Sequence, residues 1–210
     1  MLLRRLVFAL DAIVRRCLGV FTFSADEDCL LRLERGKAPR RLVFAGRVVE
    51  KGAPVLYLHL WNEHLPPFPA AGPTLAWAKR GERLFRRSLA AVAEEIRRNP
   101  RLADIRAVGG VTALFGPSAD FGGARFLERL GFHLAPYRSR WGRFGMFWKN
   151  LYAAWLLWAY NPAAYRRHGL KSSVWTEFWL PVEEFLARFG PNPPQGEDPG
   201  GPGSELKNGL

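Results

Sequence analysis

One long amphipathic helix, between residues 74 and 98, constrains the fold more than any other feature of this sequence. Thr74 is a good N-cap residue, and Asn99-Pro100 ends the helix. Apolar side chains recur at helical spacing on one side, and such a stripe must be buried against another layer of structure. The apolar set is Trp77, Leu84, Phe85, Leu89, Val92 and Ile96, and the outer, basic set is Lys79, Arg80, Arg83, Arg86, Arg87, Arg97 and Arg98.

Short β-type segments on both sides of this helix supply the second layer. Before it, residues 31–33, 42–44 and 55–60 are separated by glycine-containing turns, which predicts an antiparallel meander. After it, Gly109-Gly110 interrupts an apolar run and indicates a bulge or a close backbone approach. The later strands are predicted at residues 105–115, 132–134 and 174–180, and further helices at 2–21, 122–130, 146–160 and 181–189.

These elements predict an α+β domain with one sheet, which contains the N-terminal β-meander and is packed by several amphipathic helices. We expect a single globular domain over residues 1–189, beginning with the amphipathic helix 2–21. Residues 190–210 are rich in Pro and Gly and offer little to bury, so we expect a disordered tail.

The charge balance limits the partners. The chain has 31 Lys and Arg against 19 Asp and Glu, a net charge of +12. The last 21 residues contain Glu197, Asp198 and Glu205 against Lys207, a net of −2, so residues 1–189 carry +14. This field favours anionic partners: lipid headgroups, phosphorylated or carboxylated small molecules, or nucleic acid. A basic surface without a dedicated partner is the alternative.

The cysteines and the N-terminal stretch favour a cytoplasmic protein, and the charge and the aromatic and N-terminal helices add peripheral contact at the inner membrane face to this expectation. Two cysteines, Cys17 and Cys29, are too few for a cysteine-based metal site or for a secreted domain held together by disulfides. We interpret both as core residues of a protein in a reducing compartment. The apolar stretch 6–14 contains Asp11, which is atypical of a secretory signal. No window reaches the roughly 18 uninterrupted apolar residues of a spanning helix.

The densest polar group follows a strand. His59, Asn62, Glu63 and His64 lie where the 55–60 strand enters a proline-rich loop, and we take them as candidate catalytic residues, because an imidazole beside a carboxylate can perform acid–base chemistry. Partial metal ligation is a second possibility, although the spacing is not that of a helical pair. In the structural alternative, the side chains bond loop backbone or are solvated. We expect no cofactor and no metal.

The loop 116–123 is a second candidate site, because it lies between a predicted strand and a predicted helix. Backbone amides at a helix start can hold a phosphate or carboxylate, which makes Ser118, Gly122, Gly123 and Arg125 candidate anion-binding residues. The segment matches neither a P-loop nor a dinucleotide fingerprint. A tight loop with glycine at positive φ is the alternative.

The aromatic-rich helix 146–160 allows two interpretations. It is either a core helix or an interfacial helix whose rings lie at the lipid headgroups. Basic residues near an anionic surface contribute about 1 kcal/mol each, so the charge favours peripheral membrane contact. The candidate membrane contacts are Arg4, Arg5, Arg15, Arg16, Trp148, Lys149, Trp155 and Trp158.

Several segments resemble a known bacterial family. Gly46, Lys51-Gly52 and the run from Val55 to Asn62 are similar to the YkoP-like domain, as are the basic helix, residues 126–132 and the closing strand and helix. The resemblance covers roughly residues 5–189. Members of that family occur alone or joined to polysaccharide deacetylase domains, which implies an association with envelope carbohydrate or lipid and with a deacetylase-type enzyme.

We therefore expect a membrane or cell-envelope module that binds an anionic lipid or an envelope precursor. One alternative is a transferase or hydrolase acting on such a substrate, with His59 and Glu63 as the acid–base pair. A nucleic-acid-binding protein is the other alternative, although the arginines are dispersed and no recognition motif is present.

Overall fold

The structure is a computed structural model that describes residues 2–69, 71–72, 74–113, 123–139, 141–168 and 175–191. Its separate helices and mixed sheet confirm the predicted α+β class. The helices are α1 (Leu2–Leu18), α2 (Leu75–Arg98), α3 (Gly123–Arg129), α4 (Gly142–Tyr160), α5 (Pro162–His168) and α6 (Val182–Phe189). The strands are β1 (Leu31–Lys37), β2 (Leu42–Phe44), β3 (Arg47–Val49), β4 (Pro54–Leu60), β5 (Ala107–Thr112), β6 (His133–Pro136) and β7 (Thr176–Pro181). Residues 192–210, most of the predicted tail, lie outside the described residues.

A five-stranded sheet in the order β1-β4-β5-β7-β6 is the scaffold. β4 and β5 run parallel, and the other neighbouring pairs are antiparallel. α2 connects the two parallel strands, so it begins near the end of the sheet where β4 finishes.

The predicted meander is only partly present. β1 pairs with β4 along its whole length, from Leu31 opposite Leu60 to Lys37 opposite Pro54. β2 and β3 form a separate two-stranded sheet. Gly46 in their connection has a φ of 76° and allows the tight turn. The expected single sheet is therefore a five-stranded sheet plus a hairpin, because the full-length β1–β4 ladder leaves no edge between these strands for β2.

Apolar side chains are buried on both faces of the large sheet, since alternate residues of each strand point to opposite faces. The larger cluster joins one face to α2 and α6, and the apolar residues of α2 from Leu84 to Ile96 are buried in it as predicted. The smaller cluster joins the other face to the β2–β3 hairpin. On β4, β5 and β7 the larger cluster contains Leu56, Val108 and Leu180, and the smaller one contains Val55, Ala107 and Trp179.

Two predicted helices have different bounds in the structure. α1 ends at Leu18 rather than Phe21, because Gly19 takes a φ of 71° and turns the chain. Phe21 then forms a β-bridge with Leu33. α4 begins at Gly142, four residues before its predicted start. α2 agrees with its prediction, and Thr74 Oγ1 accepts a hydrogen bond of 3.2 Å from the Trp77 amide.

Gly109 is the position of the close backbone approach indicated by the sequence. A Cβ there would collide with the Phe178 carbonyl and lie 2.6 Å from the Trp179 ring. The glycine thus allows β7 and its tryptophan to pack directly on β5.

Replacing Gly109 with Ala should therefore lower the free energy of unfolding by about 3 kcal/mol, because strand β7 or the ring of Trp179 would have to shift. Gly81→Ala on α2 is the matched control. A Cβ at Gly81 has no atom within 4 Å, so this change should raise stability by about 0.5–1 kcal/mol. Urea denaturation followed by circular dichroism measures both variants, and a neutral Gly109→Ala would contradict the close approach.

Candidate functional site

The imidazole of His59 contacts a carboxylate that the sequence analysis did not select. His59 Nε2 lies 2.8 Å from Glu34 Oε2 on the neighbouring strand β1. The register pairs Glu34 with Tyr57, which puts Glu34 diagonally across from His59 on the same face of the sheet. The side chain of His59 is 34% exposed, so solvent reaches this pair.

Glu63, the predicted acid–base partner of His59, is bound by two arginines. Its Oε1 lies 3.3 Å from Arg15 Nη1 on α1 and 3.4 Å from Arg32 Nη2 on β1. The guanidinium of Arg32 also lies 4.3 Å from the ring centroid of Trp61. Glu63 therefore ties α1 to the sheet, and the structure brings His59 to a different carboxylate.

The side chain of His64 is engaged on two sides. Its Nδ1 donates a hydrogen bond of 2.9 Å to the carbonyl of Cys29, and its ring stacks on Trp61 with centroids 3.7 Å apart. Asn62 is partly buried in the same turn. Of the four candidate catalytic residues, His59 alone faces a carboxylate.

The candidate anion-binding loop is mostly beyond the described residues. Ser118 and Gly122 lie outside them, so the structure gives no geometry for this site. Gly123 is the first residue of α3, and Arg125 is exposed on that helix.

α1 leaves its apolar side in solvent. Its buried residues are Val7 and Asp11, one turn apart, on the side that meets α4. An amphipathic helix of a globular protein ordinarily buries its apolar stripe, and α1 does the opposite. The exposed residues of this stripe are Leu2 (83% exposed), Leu3 (61%), Leu6 (63%), Leu10 (36%) and Ile13 (59%).

A buried carboxylate determines which side of α1 faces the protein. Asp11 is 3% exposed. It accepts hydrogen bonds from the hydroxyls of Tyr152 at 2.7 Å and Tyr160 at 3.0 Å, and it pairs with Arg15 Nε at 3.2 Å. Burial, with Asp11 as a further cause, raises the pKa of both tyrosines, so they remain donors in alkaline solution. In the sequence, Asp11 was interpreted only as an interruption of an apolar stretch.

The four arginines of α1 have two different roles. Arg4 Nε donates to the carbonyl of Ala159 on α4 at 3.1 Å, and Arg15 contacts Asp11 and Glu63. Arg5 and Arg16 are exposed, and within the described part of the chain neither forms an ion pair. Arg5 and Arg16 therefore have no described side-chain partner, whereas Arg4 is exposed but hydrogen-bonded to α4.

α4 adds an exposed aromatic surface. Only Ala154 and Ala159 of its described side chains are buried, although most residues of the helix are apolar. Trp158 is partly buried, and the other two candidate tryptophans are exposed. The exposed rings, on α4 and at the residue before it, are Trp141 (71%), Phe144 (61%), Phe147 (59%), Trp148 (49%) and Trp155 (40%).

Lys149 points away from this aromatic surface. Its Nζ lies 3.7 Å from the ring centroid of Tyr137 and 4.5 Å from that of Trp175. Burial lowers the pKa of Lys149 to about 8, and the nearby carboxylate of Glu177 partly opposes this effect. The structure therefore places Lys149 inside the protein's own contacts, whereas the sequence analysis grouped it with the membrane contacts.

Two features that the described residues lack bear on the chemistry of the site. No helix there has the length and the hydropathy needed to cross a membrane. The described residues also contain no group of three or more His, Cys, Asp or Glu that could hold a metal ion.

Comparison with known proteins identifies a family. The family model described as the YkoP domain matches residues 1–189 of the 210-residue chain. Searches of curated proteins and of solved structures gave no match.

Replacing Asp11 with Ala should lower the free energy of unfolding by about 1–3 kcal/mol, because two partly buried tyrosine hydroxyls lose their acceptor. It should also make α1 more sensitive to limited proteolysis. Asp104→Ala, which removes an exposed ion pair to Arg35, is the control and should cost less than about 1 kcal/mol. Chemical denaturation and trypsin digestion measure the two effects; equal values for the two variants would mean that Asp11 does not hold α1.

Lys149 should make stability depend on pH. Its pKa is about 8 in the folded protein and 10.5 ordinarily, so between these values the unfolded chain binds more protons and stability rises with pH. We expect wild type to gain about 1–2 kcal/mol relative to Lys149→Met between pH 7.5 and 10. Urea denaturation across this range checks the difference, and parallel curves would show that the lysine is not perturbed.

Proposed function

The chain belongs to the YkoP domain family, and we propose that it is a peripheral module that binds an anionic lipid surface or a lipid-linked envelope precursor. One observation carries this proposal: the apolar stripe of α1 faces solvent while its polar side is packed on α4. Scattered exposed leucines need no explanation, but a continuous stripe marks an interaction surface.

The size of α1 suits an interfacial helix. Its 17 residues form a helix about 26 Å long that can lie in the plane of the headgroups with its apolar side inserted. Burial of each leucine contributes about 1.5–3 kcal/mol, so several together offset the entropy lost on binding. The exposed rings of α4 are of the type that lies at the headgroup level.

The charge of the protein supports an anionic rather than a neutral surface. Arg5 and Arg16 have no intramolecular ion pair among the described residues, and the chain carries +12. Each such arginine contributes about 1 kcal/mol near an anionic membrane. Phosphate attached to an apolar chain is the chemistry shared by anionic lipids and lipid-linked envelope precursors. The envelope association implied by the family, including a deacetylase-type partner, agrees with this choice.

Flotation of the purified protein with liposomes tests the proposal. We expect retention on vesicles containing phosphatidylglycerol and much weaker retention on pure phosphatidylcholine. Part of the binding should survive 0.5 M salt, roughly, because the apolar contribution is not screened. A lack of retention on both vesicles would overturn the proposal. Strong binding to duplex or single-stranded nucleic acid with a steep salt dependence would favour the nucleic-acid alternative instead.

Glutamate substitutions in the apolar stripe of α1 test whether this stripe is the surface that contacts the vesicle. Leu6→Glu combined with Ile13→Glu should reduce vesicle binding about 100-fold, by the loss of two apolar contacts and the addition of two like charges. Leu75→Glu combined with Val43→Glu is the control, since these side chains are 73% and 66% exposed on other elements.

The control variant should bind as wild type does. If both double variants lose binding equally, nonspecific hydrophobicity is the cause. Sedimentation equilibrium distinguishes the remaining case, because a dimer that dissociates in the Leu6→Glu, Ile13→Glu variant would assign the stripe to a second copy of the chain.

A further inference from the structure

Lys149 is packed between α4 and the β6 side of the large sheet. Its Nζ lies 3.7 Å from the ring centroid of Tyr137, which follows β6, and 4.5 Å from that of Trp175, which precedes β7. The Tyr137 amide donates a hydrogen bond of 3.1 Å to the Trp175 carbonyl, which joins the two residues. The amine therefore lies against two aromatic residues that are held next to each other.

The second of these rings is fixed by the residue next to Lys149. The indole Nε1 of Trp175 donates a hydrogen bond of 2.7 Å to Asn150 Oδ1. Since Asn150 and Lys149 are neighbours on α4, the helix holds both the amine and the ring beside it. The amine thus has a defined environment, unlike the mobile and strongly hydrated end of an ordinary surface lysine.

The ammonium of Lys149 has no anionic partner within the described residues. The carboxylate of Glu177 is buried, and Arg40 binds it through two nitrogens, at 2.9 and 3.2 Å. The aromatic faces attract a cation, but they offer no lone pair to its three N–H donors. A charge that is buried without a hydrogen-bonded partner favours its neutral form, and burial accordingly lowers the pKa of Lys149 to about 8.

The tip of Lys149 nevertheless reaches solvent. Every enclosed side-chain nitrogen and oxygen of the described residues has a hydrogen-bond partner, and Lys149 Nζ has none among those residues. Nζ is therefore not enclosed, although the side chain is partly buried. A lysine that is desolvated along its stem and open at its tip has the properties of a nucleophilic amine.

The surroundings of Lys149 favour an anionic reaction partner. Arg138 follows Tyr137, and Arg143 lies in the first turn of α4. Both arginines are exposed, and neither pairs with a carboxylate in the described part of the chain. Together with the net charge of +12, they raise the local concentration of a small molecule that carries phosphate.

We propose that Lys149 is a covalent modification site whose amine is acylated by acyl phosphates. The neutral amine attacks the acyl carbon, a C–N bond forms, and the C–O bond to the phosphate breaks. Inorganic phosphate leaves, and the proton of the amine passes to water. The product is a neutral amide, so the reaction removes the unpaired charge beneath α4. This site is separate from the apolar stripe of α1 and does not depend on the proposed membrane function.

Acetylation of the full chain by acetyl phosphate at pH 7.5 tests the proposal, with the rate at each lysine measured by peptide mass spectrometry. Lys51 and Lys79 are exposed and provide internal standards. At this pH an amine with a pKa of about 8 is unprotonated roughly 200 times more often than one with the ordinary value of 10.5. Its lower basicity makes each free amine about tenfold less reactive. We therefore expect Lys149 to react about tenfold faster than either standard.

Unfolding and pH separate the effect of the fold from that of the local sequence. In the urea-unfolded chain, the rate at Lys149 should fall to that of the standards, because the aromatic cluster is lost. In the folded chain, the rate should level off above about pH 9, where the amine is deprotonated. A rate at Lys149 no higher than that of the standards would overturn the proposal, and so would an excess that survives unfolding.

A neutral acyl donor tests the choice of acyl phosphates. Arg138→Ala combined with Arg143→Ala should slow acetylation of Lys149 by acetyl phosphate about threefold and leave its reaction with p-nitrophenyl acetate unchanged. Arg5→Ala combined with Arg16→Ala removes the same charge from α1 and should change neither reaction. Unchanged acetylation by acetyl phosphate in the first variant would overturn the assignment of an anionic donor, as would equal slowing with both reagents.

Discussion

The buried carboxylate of Asp11 is the interaction on which the exposed surface of this protein depends. Two tyrosine hydroxyls of α4 and the guanidinium of Arg15 satisfy it, and Arg15 in turn reaches Glu63 after β4. A buried charge is tolerated only when it is paired and hydrogen-bonded, so these contacts admit one rotational setting of α1. In that setting the leucines of the helix point into solvent. The polar contacts thus orient the apolar stripe.

The opposite faces of the large sheet are different environments. α2 and α6 cover one face with an uninterrupted apolar cluster. The other face, against which the β2–β3 hairpin packs, carries Tyr57, Glu177 and the His59–Glu34 pair. Burial, followed by the carboxylates of Glu34 and Glu177, raises the pKa of Tyr57 to about 12. Tyr57 thus combines a burial-raised pKa with a position on the same sheet face as the His59–Glu34 pair.

The sequence was informative where one local pattern dictates one outcome. The cap at Thr74, the stripe from Leu84 to Ile96 and the close approach at Gly109 were all predictable, because they depend on periodicity or on the absence of a side chain. The rotational setting of α1 and the partner of His59 were not predictable. Both depend on residues far apart in the chain, Asp11 with Tyr152 and His59 with Glu34, which periodicity does not relate. The contacts of Lys149 were not predictable for the same reason, since its aromatic neighbours come from other segments of the chain.

The polar docking of α1 has an evolutionary consequence. Under the proposed membrane function the stripe meets a fluid lipid phase, which has no fixed shape to match, so Leu, Ile, Val, Met and Phe would be nearly interchangeable there. The contact between Asp11, Tyr152 and Tyr160 is different, because each member supplies a donor or an acceptor at a set distance. Among descendants of one ancestral chain, we therefore expect the hidden polar side of this helix to diverge slowly and its visible apolar side to diverge rapidly, the reverse of the usual relation between burial and substitution rate.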